Sequence, residues 1–280
     1  MAAFAETRVR ITVGAVVLPC IVYLCWIGGT SLFVFVTLVV LFGLREYHGI
    51  AAAKDIRPNW FIGVPAAFLL CVDAWLNAGG HAPLILTALL LLSASAEVFR
   101  KSAGSPFQNV AATVFGVVYI GLLGSHLILL GKWPIDDPAV VMWGERAMAP
   151  VLLAFAIPWS YDAFAYFTGR LLGRRKLLPR ISAGKTVEGT VGGLIGAVAF
   201  MFGLRYALFP FLSPLQCVVL GAAGGIVAQV GDLAESLVKR DAGVKDSSRI
   251  IPGHGGILDR FDSVFFAAPF VYYYLAYLAG

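Results

Sequence analysis

Residues 108–130, QNVAATVFGVVYIGLLGSHLILL, form a run of 23 residues with no Asp, Glu, Lys or Arg. Crossing about 30 Å of hydrocarbon takes roughly 20 mostly apolar residues in a helix, the one local structure that satisfies every backbone group without water. A run this long and uncharged reads as a membrane span. Working outward, comparable runs lie at roughly 11–29, 31–51, 60–78, 82–99, 148–172, 187–209, 213–238 and 260–279. The pattern predicts an all-α, polytopic integral membrane protein with about nine transmembrane helices.

Composition agrees: 59% of the 280 residues are hydrophobic and only 13% charged, more apolar surface than a soluble domain needs. Little chain is left for a soluble domain. Residues 1–280 therefore read as a single membrane domain, with 1–147 mainly scaffold and lipid-facing spans and 148–280 carrying the catalytic spans and loops. Arg8 and Arg10 before the first apolar run resemble a signal peptide, but no small-x-small cleavage site follows, so the run reads as a retained helix. Cys20, Cys25, Cys71 and Cys217 lie in apolar runs without CxxC spacing, as small buried hydrophobes do; neither disulfides nor zinc are indicated.

The formal charge of +5 does not point to nucleic acid, because the basic residues are divided among short loops. With nine spans, eighteen of the 21 Lys and Arg fall on one side, leaving Lys132, Arg146 and Arg205 on the other. This positive-inside bias places the N-terminus in the cytoplasm and the C-terminus outside. The outer segment 131–145, with Trp133 and Trp143, reads as an interfacial cap. Asp73, Glu97 and His126 read as locally satisfied groups, and Glu46 and His48 at the inner end of the second span leave their roles open.

Three polar clusters interrupt the apolar pattern on the positive side. On the sixth span Asp162, Tyr166, Gly169 and Arg170 share one helical face, and an Asp within a span is expensive unless it faces a polar cavity or a structural partner. Ser182, Gly184, Lys185 and Thr186 then open the seventh span as a turn that offers N–H groups and a cation to phosphate. It is not a P-loop, since Pro179 stands where the first Gly would be needed. Arg174, Arg175 and Lys176 fit topology and anionic lipid equally well.

The third cluster is densest. Asp232, Glu235, Ser236, Lys239 and Arg240 fall on one arc of the eighth span, and Lys245, Asp246, Arg249 and Pro252-Gly253-His254-Gly255-Gly256 follow. Asp259, Arg260 and Asp262 open the ninth span. The glycines let backbone approach a ligand closely. Carboxylates gathered near cations, without a Cys/His set, suit Mg²⁺ bridged to phosphate oxygens better than zinc.

These residues resemble the signature of the phosphatidate cytidylyltransferases, or CDP-diacylglycerol synthases. The run Ser236-Leu-Val-Lys239-Arg240, Lys245-Asp246, Pro252-Gly253-His254-Gly255-Gly256, Asp259-Arg260-Phe261-Asp262 follows the pattern without a departure, and Asp162 and Ser182-Ala-Gly-Lys185-Thr186 are similar to upstream elements. The resemblance implies transfer of a cytidylyl group from CTP to phosphatidate in phospholipid biosynthesis, by a Mg²⁺-dependent, often dimeric enzyme of the bacterial-type inner membrane with its site open to the cytoplasm. It implies Asp232 and Asp259 as metal ligands, Asp246 and Asp262 as supporting candidates, and leaves room for a second, monovalent cation. Lys239, Arg240, Lys245 and Arg260 would meet pyrophosphate or headgroup, and His254 a proton or phosphate. Asp162, Tyr166, Ser182, Lys185, Thr186, Glu235, Ser236, Gly255 and Gly256 complete the substrate-binding set. Two alternatives stand beside this: a CTP-dependent enzyme acting on another lipid phosphate, and an ion-coupled transporter using Asp162, Asp232 and Glu235.

Overall fold

The computed structural model describes residues 19–101, 104–133, 148–248, 250 and 255–278. Their helices, in chain order, are α1 (19–27), α2 (Gly29–Ala52), α3 (Trp60–Asn77), α4 (Ala82–Val98), α5 (Pro106–Leu130), α6 (Met148–Leu172), α7 (Val187–Ala207), α8 (Pro214–Asp241) and α9 (Leu258–Tyr277). Each expected span after the first coincides with a helix to within three residues at either end. The first lies partly outside the described residues, as do Arg8, Arg10, Arg249, His254 and most of 131–145.

The count of about nine crossings is not confirmed. Among the described residues six helices are long and apolar enough to cross a membrane: α2, α3, α5, α6, α7 and α8. Helix α4 has 17 residues, and α9 carries Asp259, Arg260 and Asp262 in its first turns and tyrosines in its last. Six such helices, with Phe42, Phe61, Phe167, Leu171 and Ile195 exposed on their outer faces, make this an integral membrane protein.

The chain divides into two compact units, one of the chain through Lys132 with Val238–Phe261, the other of Trp133–Leu237 with the remainder of α9. In the first, α3 packs against α2, α4 and α5 around Val36, Val40, Leu44, Ala67, Leu70 and Ile120. Residues Val117–Leu122 of α5 form a π-helical turn where Gly121 lies against Ala67 and Gly116 against the Tyr47 ring, approaches too close for side chains. Several buried polar groups are paired locally. Asp73 accepts from Asn77 and from the N–H and ring of His81, and Glu97 pairs with Arg100 at 2.9 Å. Asn109 and Thr113 accept from the backbone N–H groups of Arg57 and Asn59, tying the α2–α3 connection down. Cys25 and Cys71 are buried as expected, whereas Cys20 is exposed on α1, an outward position in a membrane helix.

In the second unit α6 and α7 lie in close contact. A Cβ on Gly193 would stand 2.8 Å from the Tyr161 ring and 2.9 Å from the Ala165 Cβ, and Gly196 abuts Phe164. With lipid outside, such close backbone approach supplies the packing that holds helices together. Between them stands a two-stranded antiparallel hairpin, β1 (Lys176–Leu178) and β2 (Ser182–Thr186), the single departure from all-α among the described residues. It replaces the simple turn expected before α7. Glu188 accepts from the N–H groups of Arg174 and Arg175, and the Thr186 hydroxyl caps α7 by accepting from Gly189 N–H at 3.1 Å.

Candidate active site

The second unit holds a cavity of about 360 Å³, a size at which nucleotides and lipid headgroups are bound. Helix α6 contributes Tyr161, Asp162, Tyr166 and Arg170; the hairpin contributes Gly184, Lys185 and Thr186, and Thr190 and Gln229 close it from α7 and α8. Arg170 donates to the Tyr166 hydroxyl at 2.9 Å, and Gln229 Nε2 donates to Thr190 Oγ1 at 2.9 Å. The glycines at the α6–α7 crossing let the hairpin reach the cavity.

Lys185 Nζ stands 2.8 Å from Asp232 Oδ2, a pair in which both side chains are about three-quarters buried. The ammonium is buried, and its only partner among the described residues is this ion pair, without hydrogen-bond alignment. Beyond this pair, its other N–H donors are left for an anion. Asp232 takes one further donor, the Ser236 hydroxyl at 3.3 Å, and the carboxylate has about four acceptor positions in all. This contact with Lys185, 47 residues away in sequence, gives Asp232 the partner that its own helix did not supply.

A second cluster belongs to the first unit. Asp259, in the first turn of α9, accepts from the Lys239 ammonium through Oδ1. Its Oδ2 accepts from Gly256 N–H at 2.7 Å, Ser247 N–H at 3.0 Å and Ser247 Oγ at 2.9 Å. Burial raises the Asp259 pKa, but Lys239 and these N–H donors outweigh it and hold the carboxyl below its usual value. Gly255 has φ +79°, the left-handed turn that brings Gly256 N–H onto Asp259.

The other expected site residues have plain positions. Ser182 stands in β2 opposite Leu178, and Glu235 is buried on α8. Arg240 is exposed and donates to Val244 O at 3.2 Å; Lys245, Asp246 and Arg260 are exposed. The Asp262 carboxylate accepts from Ser263 N–H at 2.6 Å, and His254 lies outside the described residues. Sequence reasoning missed Thr190 and Gln229, which have no motif around them, and Ser247, which lies inside the quoted run at a position the pattern does not name.

Relatives carry the comparison across the chain. It is 34% identical over 278 residues to a phosphatidate cytidylyltransferase of Synechocystis sp., covering 90% of each. It is 33% identical over 272 residues to one of Staphylococcus haemolyticus, covering 94% of this chain and 96% of the relative. The Bacillus subtilis enzyme of that name is 38% identical over 194 residues, 68% of this chain and 66% of the relative. The pattern of the cytidylyltransferase family matches residues 8–278, both clusters included, and the chain belongs to that family.

Proposed function

We propose that this protein transfers the cytidylyl group of CTP to phosphatidate, giving CDP-diacylglycerol and pyrophosphate for phospholipid biosynthesis. The observation that carries the reading on the structure is the Lys185 ammonium, buried beside Asp232 with N–H donors to spare, on the wall of a cavity within membrane helices. Its chemistry fits a phosphate, and its setting fits a substrate whose acyl chains stay in lipid. The family match and the names of the relatives supply the nucleotide and the lipid.

The reaction needs little proton chemistry. The phosphatidate monoester is largely ionised near neutral pH, so its oxygen attacks the α-phosphorus of CTP directly while the bond to the β-phosphate breaks and pyrophosphate departs. Positioning and charge neutralisation then provide the catalysis. Lys185 and Arg170 would hold phosphate at the cavity, with Lys239, Arg240, Lys245 and Arg260 as further cationic candidates. Lys185 orients Asp232, and Thr186 and Gln229 present polar atoms to the bound group.

Mg²⁺ suits this donor set. It takes one or two protein carboxylates and completes its shell with phosphate oxygens and water, and among the described residues no three His, Cys, Asp or Glu cluster into a cage. Asp232, with acceptor positions left open, is the foremost ligand. Asp259 offers an oxygen only by exchanging Lys239, because its four donors fill it; Asp246 and Asp262 are the remaining candidates. When bound, the ion would neutralise charge on the CTP phosphates. The Lys and Arg bias supports a site on the cytoplasmic face of a bacterial-type plasma membrane, where CTP is available.

The test is purified protein in detergent with labelled CTP, Mg²⁺ and phosphatidate. Lipid-linked CMP with equimolar pyrophosphate is expected, lost on chelation and restored by Mg²⁺. Transfer to another lipid phosphate but not to phosphatidate would overturn the substrate, and release of CDP would overturn the reaction.

A further inference from the structure

Glu46 sits on α2 with 4% of its surface exposed, where an ionised carboxylate is costly unless its acceptor positions are filled. One short segment fills them. Oε1 accepts from Ser248 Oγ at 2.6 Å and from Ile257 N–H at 3.0 Å. Oε2 accepts from Ser247 Oγ at 2.9 Å and from Leu258 N–H at 2.8 Å. The two N–H groups are unpaired donors at the start of α9, where the helix dipole also favours a negative charge.

The same segment carries Asp259. Ser247 Oγ lies 2.9 Å from both Glu46 Oε2 and Asp259 Oδ2, so the two carboxylates share its single proton. Gly256 is confined by them as well: a Cβ there would collide with Ser247 Oγ and with the Glu46 carboxylate. Among the described residues, every hydrogen bond of the Glu46 carboxylate goes to this segment, and the helix bundle takes none.

We infer that Glu46 is a positioning residue for cytidylyl transfer. It clasps Ser247, Ser248 and the first residues of α9, and through them holds Asp259 against Lys239. The role rests on the proposed function, because only there do Lys239 and Asp259 have a reaction to serve. The clasp itself rests on the geometry alone.

Glu46→Gln separates these. The amide keeps the shape, but whichever way it turns its NH₂ faces the N–H of Ile257 or of Leu258, and one backbone donor loses its acceptor. In full-length protein in detergent, kcat should fall about tenfold or more with KM for CTP and phosphatidate within about threefold, as expected when reacting groups are misplaced after binding. Amide exchange read by mass spectrometry should quicken about tenfold in peptides covering 243–258 and stay unchanged elsewhere. Ser248→Ala, which removes one donor from Glu46 and leaves only the exposed Ile250 N–H to water, should shift both readouts the same way by less, and serves if Glu46→Gln does not fold. Unchanged exchange in 243–258 overturns the clasp. Faster exchange with wild-type kcat, or a raised KM at unchanged kcat, overturns the positioning role. A wild-type chain that transfers no cytidylyl group sinks the proposed function and this role with it, and the exchange comparison then reports on the clasp alone.

Discussion

Asp232 and Asp259 look interchangeable in sequence, and the structure predicts opposite consequences for the same substitution. In Asp259→Asn one acceptor oxygen must serve four donors. If the amide oxygen faces Ser247 and Gly256, its NH₂ faces the Lys239 ammonium, and Lys239, 8% exposed, loses the charge of Asp259. The reverse orientation sets NH₂ against two backbone N–H groups. Breaking a buried pair costs about 3–5 kcal/mol, and the position of Asp259 at a helix end argues for about 3 kcal/mol. Asp232→Asn breaks a more open pair, with side chains 21% and 27% exposed, and keeps the Ser236 contact; solvent screening limits that loss to about 1 kcal/mol or less. Denaturant titration of detergent-solubilised variants, followed by helical circular dichroism, measures both. Turnover should vanish in Asp232→Asn at near-native stability and in Asp259→Asn together with stability. A cycle with Lys239→Met should return a coupling of about 1.5 kcal/mol or more for Asp259. Equal stability losses in the two Asn variants, or a coupling near zero, would refute the assignment of Asp259 to a saturated, structure-bearing role.

Lys185→Met keeps the length of the side chain and removes the cavity's unspent donors, so KM for CTP or for phosphatidate should rise about tenfold or more, with the unfolding midpoint little changed. Steady-state kinetics with each substrate varied in turn checks it, and wild-type constants for both would remove Lys185 from the site. Gly193→Leu forces a side chain against the Tyr161 ring and Ala165, an overpacking worth about 1–3 kcal/mol or more. It should lower the denaturation midpoint, and an unchanged midpoint would show that the α6–α7 contact has slack.

The spans were legible because lipid imposes one rule on every residue that crosses it. Apolar runs such as 108–130 have no alternative to helix, and their ends follow from Pro83, Pro106 and the Gly28-Gly29 break, where φ is +58° and +55°. The number of crossings was less legible, because α9 begins in charge and ends in tyrosine and α4 is short for a span. The hairpin of Lys176–Leu178 and Ser182–Thr186 was hidden for another reason. Its segment is basic and short, and neither strand shows an alternation of apolar and polar residues long enough to register. The π turn in α5 follows from Gly116 and Gly121 meeting particular partners, Tyr47 and Ala67, and periodicity carries no such information.

The site divides along the same line. Asp162 and Tyr166, which share a helix face, and Lys185 and Thr186, neighbours in β2, were picked out from local sequence and line one cavity. Residues whose role is set by a distant partner were misjudged or unseen. Glycines near His254 read as room for a ligand, yet Gly256 gives its room to Glu46 and Ser247. Glu46 stood open in sequence because its four donors lie 201 to 212 residues further along the chain. That distance has a physical cause. A segment rich in Gly and Ser has little apolar surface with which to order itself, and near a membrane its backbone donors must still be satisfied. A buried carboxylate on a rigid span answers both needs at once, since it accepts several donors while its own helix fixes where they meet. An acid at the end of a membrane span can therefore order a Gly/Ser-rich loop more than two hundred residues away, as Glu46 does here.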